Sequence, residues 1–254
     1  MLRLYRIDHS GEPLYAAERE GTWRLVDGDI FGTFREGPVI ASEGLRLLPP
    51  VSPSKIVCIG LNYKDHAAEM KKTLPEEPLL FLKPSTAVVG PGAPIRVPGW
   101  AGRIDHEAEV GIVILKTAVN VKASKAAEFI LGLTCVNDVT ARELQAKDVQ
   151  YSRAKGFDTF APIGPCVAVA LEGRDLSVRG YVNGDLRQDS RTRELIFTIP
   201  EIVEFVSSVM TLLPGDVIAT GTPSGVGPIR PGDSVTVHVE GVGALTNPVV
   251  LREP

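Results

Sequence analysis

The chain has little cysteine: three residues in 254, far apart at Cys58, Cys135 and Cys166. That excludes a disulfide framework and the paired spacing of a zinc site. Each cysteine sits among apolar neighbours, in IVCIG, LTCVN and GPCVA, which predicts buried, reduced thiols and a cytoplasmic setting. Positive charge is not in excess. A net charge of −4 gives no electrostatic footprint for nucleic acid. No apolar run reaches about 18 residues, so the sequence offers no membrane-spanning helix. The opening MLRLYRIDHSGEP lacks the apolar stretch and small-residue site of a secretory signal. Phosphate-loop patterns are missing too. ATGTPSGVG (219–227) is rich in glycine and hydroxyls but matches neither G-x-x-x-x-G-K-[ST] nor G-x-G-x-x-G. No Gly-x-Ser-x-Gly occurs, so the elbow of a serine hydrolase is absent.

What is present is an ordinary globular composition, 44% hydrophobic and 23% charged. Gly (25) and Pro (20) run through the whole chain and periodic segments are short, which predicts a β-rich fold with many turns. Residues 1–50 read as a small N-terminal β domain, with LRLYRI, PLYAAE and TWRLV as strands. The Pro/Ser-rich LLPPVSPS is the joint, and 51–254 is the main domain. KIVCIG, EVGIVI, GPCVAVAL and SVTVHV predict strands, and NYKDHAAEMKK (62–72) has helical composition. Asn183-Gly184 between extended runs predicts a hairpin. TIPEIVEFVSSVM carries apolar residues at helical spacing and predicts an amphipathic helix.

The stretch RIDHEAEVGIVI (103–114) sets the chemical problem. Asp105, Glu107 and Glu109 alternate, so on an extended strand they share one face beside an apolar core segment. Buried like charges repel. A divalent cation relieves that, and Mg²⁺, Mn²⁺ and Ca²⁺ all prefer oxygen ligands. Asp138, after the apolar run FILGLTCVN, supplies a third carboxylate or else caps the helix predicted from VTARELQ. The competing reading is a solvated acidic edge facing Arg103 or Lys116. His66 and Glu69, three apart on a helix, suit a general base for activating water or an incidental surface pair. Arg142 and Gln145 share a helix face that suits a substrate carboxylate or keto group, or plain surface polarity. Lys155, in the aperiodic RAKGFDTFAPIGP, reads as a loop lysine that pairs with Asp158 or binds a ligand anion. His9, His106 and His238 have no evident partners.

From about residue 55 onward these segments resemble the fumarylacetoacetate hydrolase family. GLNYKDHAAEM is similar to its G-x-N-Y-x-x-H-x-x-E segment, IDHEAEVGIVI to its metal strand, and CVNDVTARELQ to its N-D-x-[ST]-A-R-[DE]-x-Q segment. AKGFDTFAPIGP and ATGTPSGVG are similar to its lysine loop and late T-G-T-P-x-G-V-G turn. Glu143 stands where aspartate is more usual. The resemblance implies a mainly β (α+β) fold, a mixed β-sandwich roll with a few short helices, dimeric, with a small N-terminal β domain. It implies Glu107, Glu109 and Asp138 as ligands for Mg²⁺ or Mn²⁺, or Ca²⁺. His66 and Glu69 become a water-activating dyad on a lid, Lys155, Arg142 and Gln145 become groups that hold substrate or developing charge, and Thr222 becomes a hydroxyl that contacts a substrate carboxylate. The implied activity is that of a 2-hydroxyhepta-2,4-diene-1,7-dioate isomerase/decarboxylase acting on 2-oxo or 2-hydroxy-dienoic dicarboxylates in aromatic catabolism. Acylpyruvate hydrolysis and oxaloacetate decarboxylation are close alternatives, and a non-catalytic metal- or ligand-binding protein is a remote one.

Overall fold

The computed structural model describes residues 1–253. Strands dominate and the helices are short, as the spread of glycine and proline predicts. β1 (Arg3–His9), β2 (Glu12–Arg19), β3 (Thr22–Gly28) and β4 (Phe34–Ile40) form an antiparallel meander. Its first two turns place Ser10-Gly11 and Glu20-Gly21 at positive φ, the twist that two-residue hairpins require. β1 then pairs with the strand Ala161–Val169, with Arg3 opposite Ala168, so the meander continues the main sheet.

That main sheet has 12 strands. Beyond β1 its order runs through Ala161–Val169, Ile130–Asn137, Ala108–Ile114, Val217–Ala219, Lys55–Gly60 and Leu79–Pro84. The four strand predictions KIVCIG, EVGIVI, GPCVAVAL and SVTVHV all coincide with strands. A second sheet of five strands is built on Ser177–Val182, Asp185–Arg191, Ser234–Val239, Gly243–Leu251 and Ile95–Val97. Asn183 and Gly184 both take positive φ at its hairpin turn. Side chains from the two sheets meet in one apolar cluster: Val110 and Ile112 pack with Val178, Val237 and Leu245. Cys58, Cys135 and Cys166 are buried and unpaired.

The helices sit around these sheets. α1 spans Lys64–Glu69, shorter than the helical composition of 62–72 predicts, because Lys71 adopts a left-handed φ of 53° and stops it. α2 spans Arg142–Asp148 and α3 Ser152–Lys155. α4 spans Ile199–Val209 and buries Ile199, Ile202, Val203 and Val206, the predicted face. Its start is fixed by a capping box, in which the Thr198 N–H donates to Glu201 Oε2 at 2.8 Å. Among the described residues, no helix is long and apolar enough to cross a membrane.

Candidate functional site

Strand direction brings the motifs together. Lys55–Gly60 runs parallel to Val217–Ala219, which is antiparallel to Ala108–Ile114, itself antiparallel to Ile130–Asn137. The carboxyl ends of three strands and the amino end of the fourth therefore lie at one edge of the main sheet. Ala108 is the last residue paired there, opposite Asn137. The next residues outward are Glu107 and Asp138, tied by the Asp138 N–H donating to the Glu107 carbonyl at 2.9 Å. The 219–227 turn crosses the same edge: the Thr220 N–H donates to the Val110 carbonyl and the Gly221 N–H to Glu109 Oε2 at 2.8 Å.

The expected single acidic strand is broken. Ile104–His106 belongs to a separate three-stranded sheet, and the chain changes sheets at Glu107. Asp105 is thereby turned to Arg103 and Arg142, at 2.7 and 2.8 Å. Glu107, Glu109 and Asp138 remain together, with one ligand oxygen from each within 4.8 Å of the others. All three are buried, so a solvated acidic edge is excluded. Nor is Asp138 a helix cap: α2 starts at Arg142, and its flanking Ala141 makes no side-chain cap.

Cations explain why two of these carboxylates tolerate burial. Lys155 Nζ donates to Glu107 Oε2 at 2.7 Å and to Asp138 Oδ2 at 2.6 Å. Lys83 Nζ donates to Asp138 Oδ1 at 2.5 Å and to the Val139 carbonyl at 3.0 Å. Arg142 donates to Asp105, to Glu107 Oε1 at 2.6 Å and to Gln145 Oε1 at 3.0 Å. Burial alone pushes the Glu107 carboxyl up, but Lys155 and Arg142 hold it well below the usual carboxylate range. Burial opposes the Lys155 charge, yet Asp138 and Glu107 raise its pKa above the ordinary lysine value.

Glu109 is different. Among the described residues no basic side chain reaches it within ion-pair distance. Burial and the Asp138 and Glu107 charges push its carboxyl well above the usual range. A buried carboxylate without a counter-charge, beside two others in an oxygen-only set, is what a hard divalent cation fits.

The predicted residues converge. His66, Glu107, Glu109, Asp138, Arg142, Gln145, Lys155 and Thr222 all line one cleft of about 230 Å³. Glu69 stands behind His66: His66 Nδ1 lies 3.0 Å from Glu69 Oε2, and Glu69 Oε1 accepts the Gly225 N–H at 3.1 Å. Lys155 ends the short helix α3; it does not lie in a loop, and Asp158 pairs with Arg252 instead. A larger cavity of about 590 Å³ lies elsewhere, between Leu133, Leu195 and Ile199, and holds none of the buried acidic residues. Two buried residues bonded to the residues of the cleft escape the sequence reading. Lys83 looks like the solvent side of LLFLKP yet is fully buried. Gln188 lies in the polar run DLRQDSR yet is buried beside Thr222. A lone lysine in an apolar strand was the only available signal for Lys83.

Residues 55–250 match the model of the fumarylacetoacetate (FAA) hydrolase C-terminal family. The fold is similar to that of a 2-hydroxyhepta-2,4-diene-1,7-dioate isomerase from Mycobacterium marinum, at 44% identity and a TM-score of 0.93 over 100% of both chains. It is also similar to a maleylpyruvate hydrolase from Sphingobium sp. SYK-6 in complex with manganese(II) and pyruvate, at 28% identity and a TM-score of 0.82 over 99% of this chain and 100% of that one. In sequence it is 40% identical to a mitochondrial oxaloacetate tautomerase of Xenopus laevis, over 84% of this chain and 70% of the relative. With its cleft at the sheet edge and these likenesses along its length, the chain is an enzyme of the fumarylacetoacetate hydrolase family.

Proposed function

We propose that the chain acts on 2-oxo or 2-hydroxy-dienoic dicarboxylates with Mg²⁺ or Mn²⁺ (Ca²⁺ being a further oxygen-seeking candidate) held by Glu107, Glu109 and Asp138. The leading activity is isomerisation/decarboxylation of the 2-hydroxyhepta-2,4-diene-1,7-dioate type, within aromatic catabolism. A cytoplasmic homodimer belongs to the same proposal. The observation that carries it is the convergence, in one small cleft, of a three-carboxylate cage whose Glu109 lacks a counter-charge, of Lys155 and Arg142, and of His66 backed by Glu69.

The ion, when bound, supplies Lewis-acid polarisation of a keto oxygen and its neighbouring carboxylate. Lys155 keeps its proton through pairing with Asp138 and Glu107, so it offers fixed positive charge where negative charge develops on substrate. Three of the five Arg142 N–H groups are taken by Asp105, Glu107 and Gln145, which fixes the guanidinium plane and leaves two donors for a carboxylate. Glu69 accepts from His66 Nδ1, so Nε2 carries the lone pair that takes a proton from water or substrate carbon. Phe81 packs its ring 4.8 Å from Lys155 Nζ and helps exclude water.

The His66–Glu69 geometry also favours a second reading, C–C hydrolysis of an acylpyruvate, which needs an activated water. Decarboxylation of oxaloacetate does not. The test is a panel of 2-hydroxy-dienoic and 2-oxo dicarboxylates and acylpyruvates with Mg²⁺ or Mn²⁺, following substrate absorbance, pyruvate and CO₂. Turnover of at least one class that Glu107→Ala abolishes is expected. His66→Ala should depress acylpyruvate hydrolysis at least about 100-fold, within the range of general-base catalysis, and oxaloacetate decarboxylation far less. No turnover with any of these classes would defeat the proposal, and equal losses would remove the dyad's role.

A further inference from the structure

The cleft has a floor and a mouth. Glu107, Glu109 and Asp138 are at most 5% exposed, whereas Met70 and Leu79, on the same cleft, are 45% and 50% exposed. A ligand whose head is held by the floor carboxylates therefore sends its tail out past Met70 and Leu79. Pro75 and Tyr151, half-buried, and Lys72, exposed, also line this outer part. Among the described residues, Lys72 is the one charged residue of the cleft besides the carboxylates, Arg142, Lys155 and the His66 ring. Its near neighbours Lys71, Glu76 and Glu77 do not line the cleft. The backbone places Lys72 there. α1 ends in a Schellman turn, in which the Lys71 N–H donates to the Ala68 carbonyl at 3.1 Å and the Lys72 N–H to the Ala67 carbonyl at 3.0 Å. The turn folds the chain back over the helix that carries His66. The second residue of such a turn commonly packs an apolar side chain on its helix. Here it is an exposed lysine whose charge serves no ion pair among the described residues: the paired lysines are Lys55, Lys83, Lys122, Lys125 and Lys155.

We infer that Lys72 reads the far end of the substrate: its ammonium pairs with a second carboxylate carried beyond the 2-oxo acid head. Arg142 and Lys155, bonded to the floor carboxylates, serve the head. The four-carbon stem of Lys72 is flexible, so one lysine meets tails of more than one length. Against Met70, Pro75 and Leu79 alone, a charged tail end would lose hydration and gain no partner. Lys72 supplies that partner. An uncharged tail keeps the apolar contact and gains no ion pair. The preference for dicarboxylates thus rests on a residue two positions beyond the GLNYKDHAAEM segment, outside all five motifs. The inference rests on the 2-oxo acid reading of the cleft.

The test is calorimetric titration of the full chain, with saturating Mg²⁺, by 2-oxoadipate and 2-oxohexanoate. These share the head and the carbon count and differ in whether the last carbon is a carboxylate or a methyl. Oxalate, which has no tail, is the control. The wild-type chain should prefer 2-oxoadipate by about 3- to 10-fold, the range between an exposed ion pair and a charge-assisted hydrogen bond. Lys72→Met keeps an apolar stem and removes the charge. It should erase that preference by weakening 2-oxoadipate, and leave 2-oxohexanoate and oxalate within about twofold. Lys72→Arg should keep the preference and Lys72→Glu should reverse it. Added KCl should narrow it in the wild-type chain, because the pair is open to solvent. A preference that survives Lys72→Met, or equal losses of all three probes, overturns the inference. So does binding of oxalate without either six-carbon probe. Failure of all three probes to bind the wild-type chain would instead overturn the 2-oxo acid reading, and this inference with it.

Discussion

Single side chains settle whether a buried charge survives. Glu107 and Asp138 each have a lysine within 3 Å, while among the described residues Glu109 accepts only a backbone N–H. Sequence alternation pointed to Glu107 and Glu109, and an apolar run ending in Asn137-Asp138 pointed to the third ligand. For Lys83 the lone lysine in an apolar strand is a weak signal, because one lysine in a strand ordinarily marks a solvent face. The same rule of paired burial holds away from the cleft. Asp216 is fully buried and accepts from Lys55, Ser54 and the Leu213 N–H. Burial pushes its carboxyl up, but the Lys55 and Ser54 hydrogen bonds bring it below the usual range. A depressed folded pKa means stability present above the unfolded value of about 3.9 and lost as pH falls through the folded one. Asp216→Asn should therefore cost about 2 kcal/mol at pH 7, the scale of charged hydrogen bonds. The gap from wild type should begin to narrow as pH falls below about 4 and close only once pH passes below the depressed folded pKa, as measured by denaturant unfolding across that range and at pH 7. A gap independent of pH would place the loss in packing.

Among the elements, the short ones do most to place the chemistry. α1 carries the His66–Glu69 pair but is only six residues long, too short to hold itself. Asn62 and Glu69 anchor its two ends. Asn62 Nδ2 donates to the Phe197 and Thr220 carbonyls, and Glu69 takes the Gly225 N–H. Gly225 has φ of +91°, and a Cβ there would lie 2.0 Å from the Arg187 carbonyl oxygen. Gly225→Ala must therefore move the turn and release Glu69. It should destabilise the fold by about 1–3 kcal/mol, the range for imposed backbone strain. It should also reduce acylpyruvate hydrolysis more than oxaloacetate decarboxylation, checked by thermal melts and paired assays. Unchanged melting would show that the turn yields without strain. Hydrophobic period revealed α4 and the long strands, because their faces bury many apolar side chains. It could not reveal the break at Glu107, where the chain leaves one sheet for another. Local pattern carries no record of which sheet a strand joins.

In the whole molecule, the cleft exists because a mixed sheet brings four distant segments to one edge. An ion held at that edge binds the folded chain and not the unfolded one, so it adds stability by mass action. Mn²⁺ at about 100 times its dissociation constant should add about 2.7 kcal/mol. For a chain of this size that raises Tm by roughly 5–10 °C. A chelator should reverse the rise and Glu109→Gln should abolish it, as followed by differential scanning calorimetry. A full rise in Glu109→Gln would exclude Glu109 as a ligand. By itself the sequence determined the β-rich class, the main strands, the amphipathic helix and the residue types of the cleft, because each of these is written in neighbours a few positions apart. Only the tertiary structure decided which charges neutralise which. Lys155 meets Glu107 across 48 positions and Lys83 meets Asp138 across 55. Coulomb attraction depends on distance through space and on burial, and neither is defined until the sheets close.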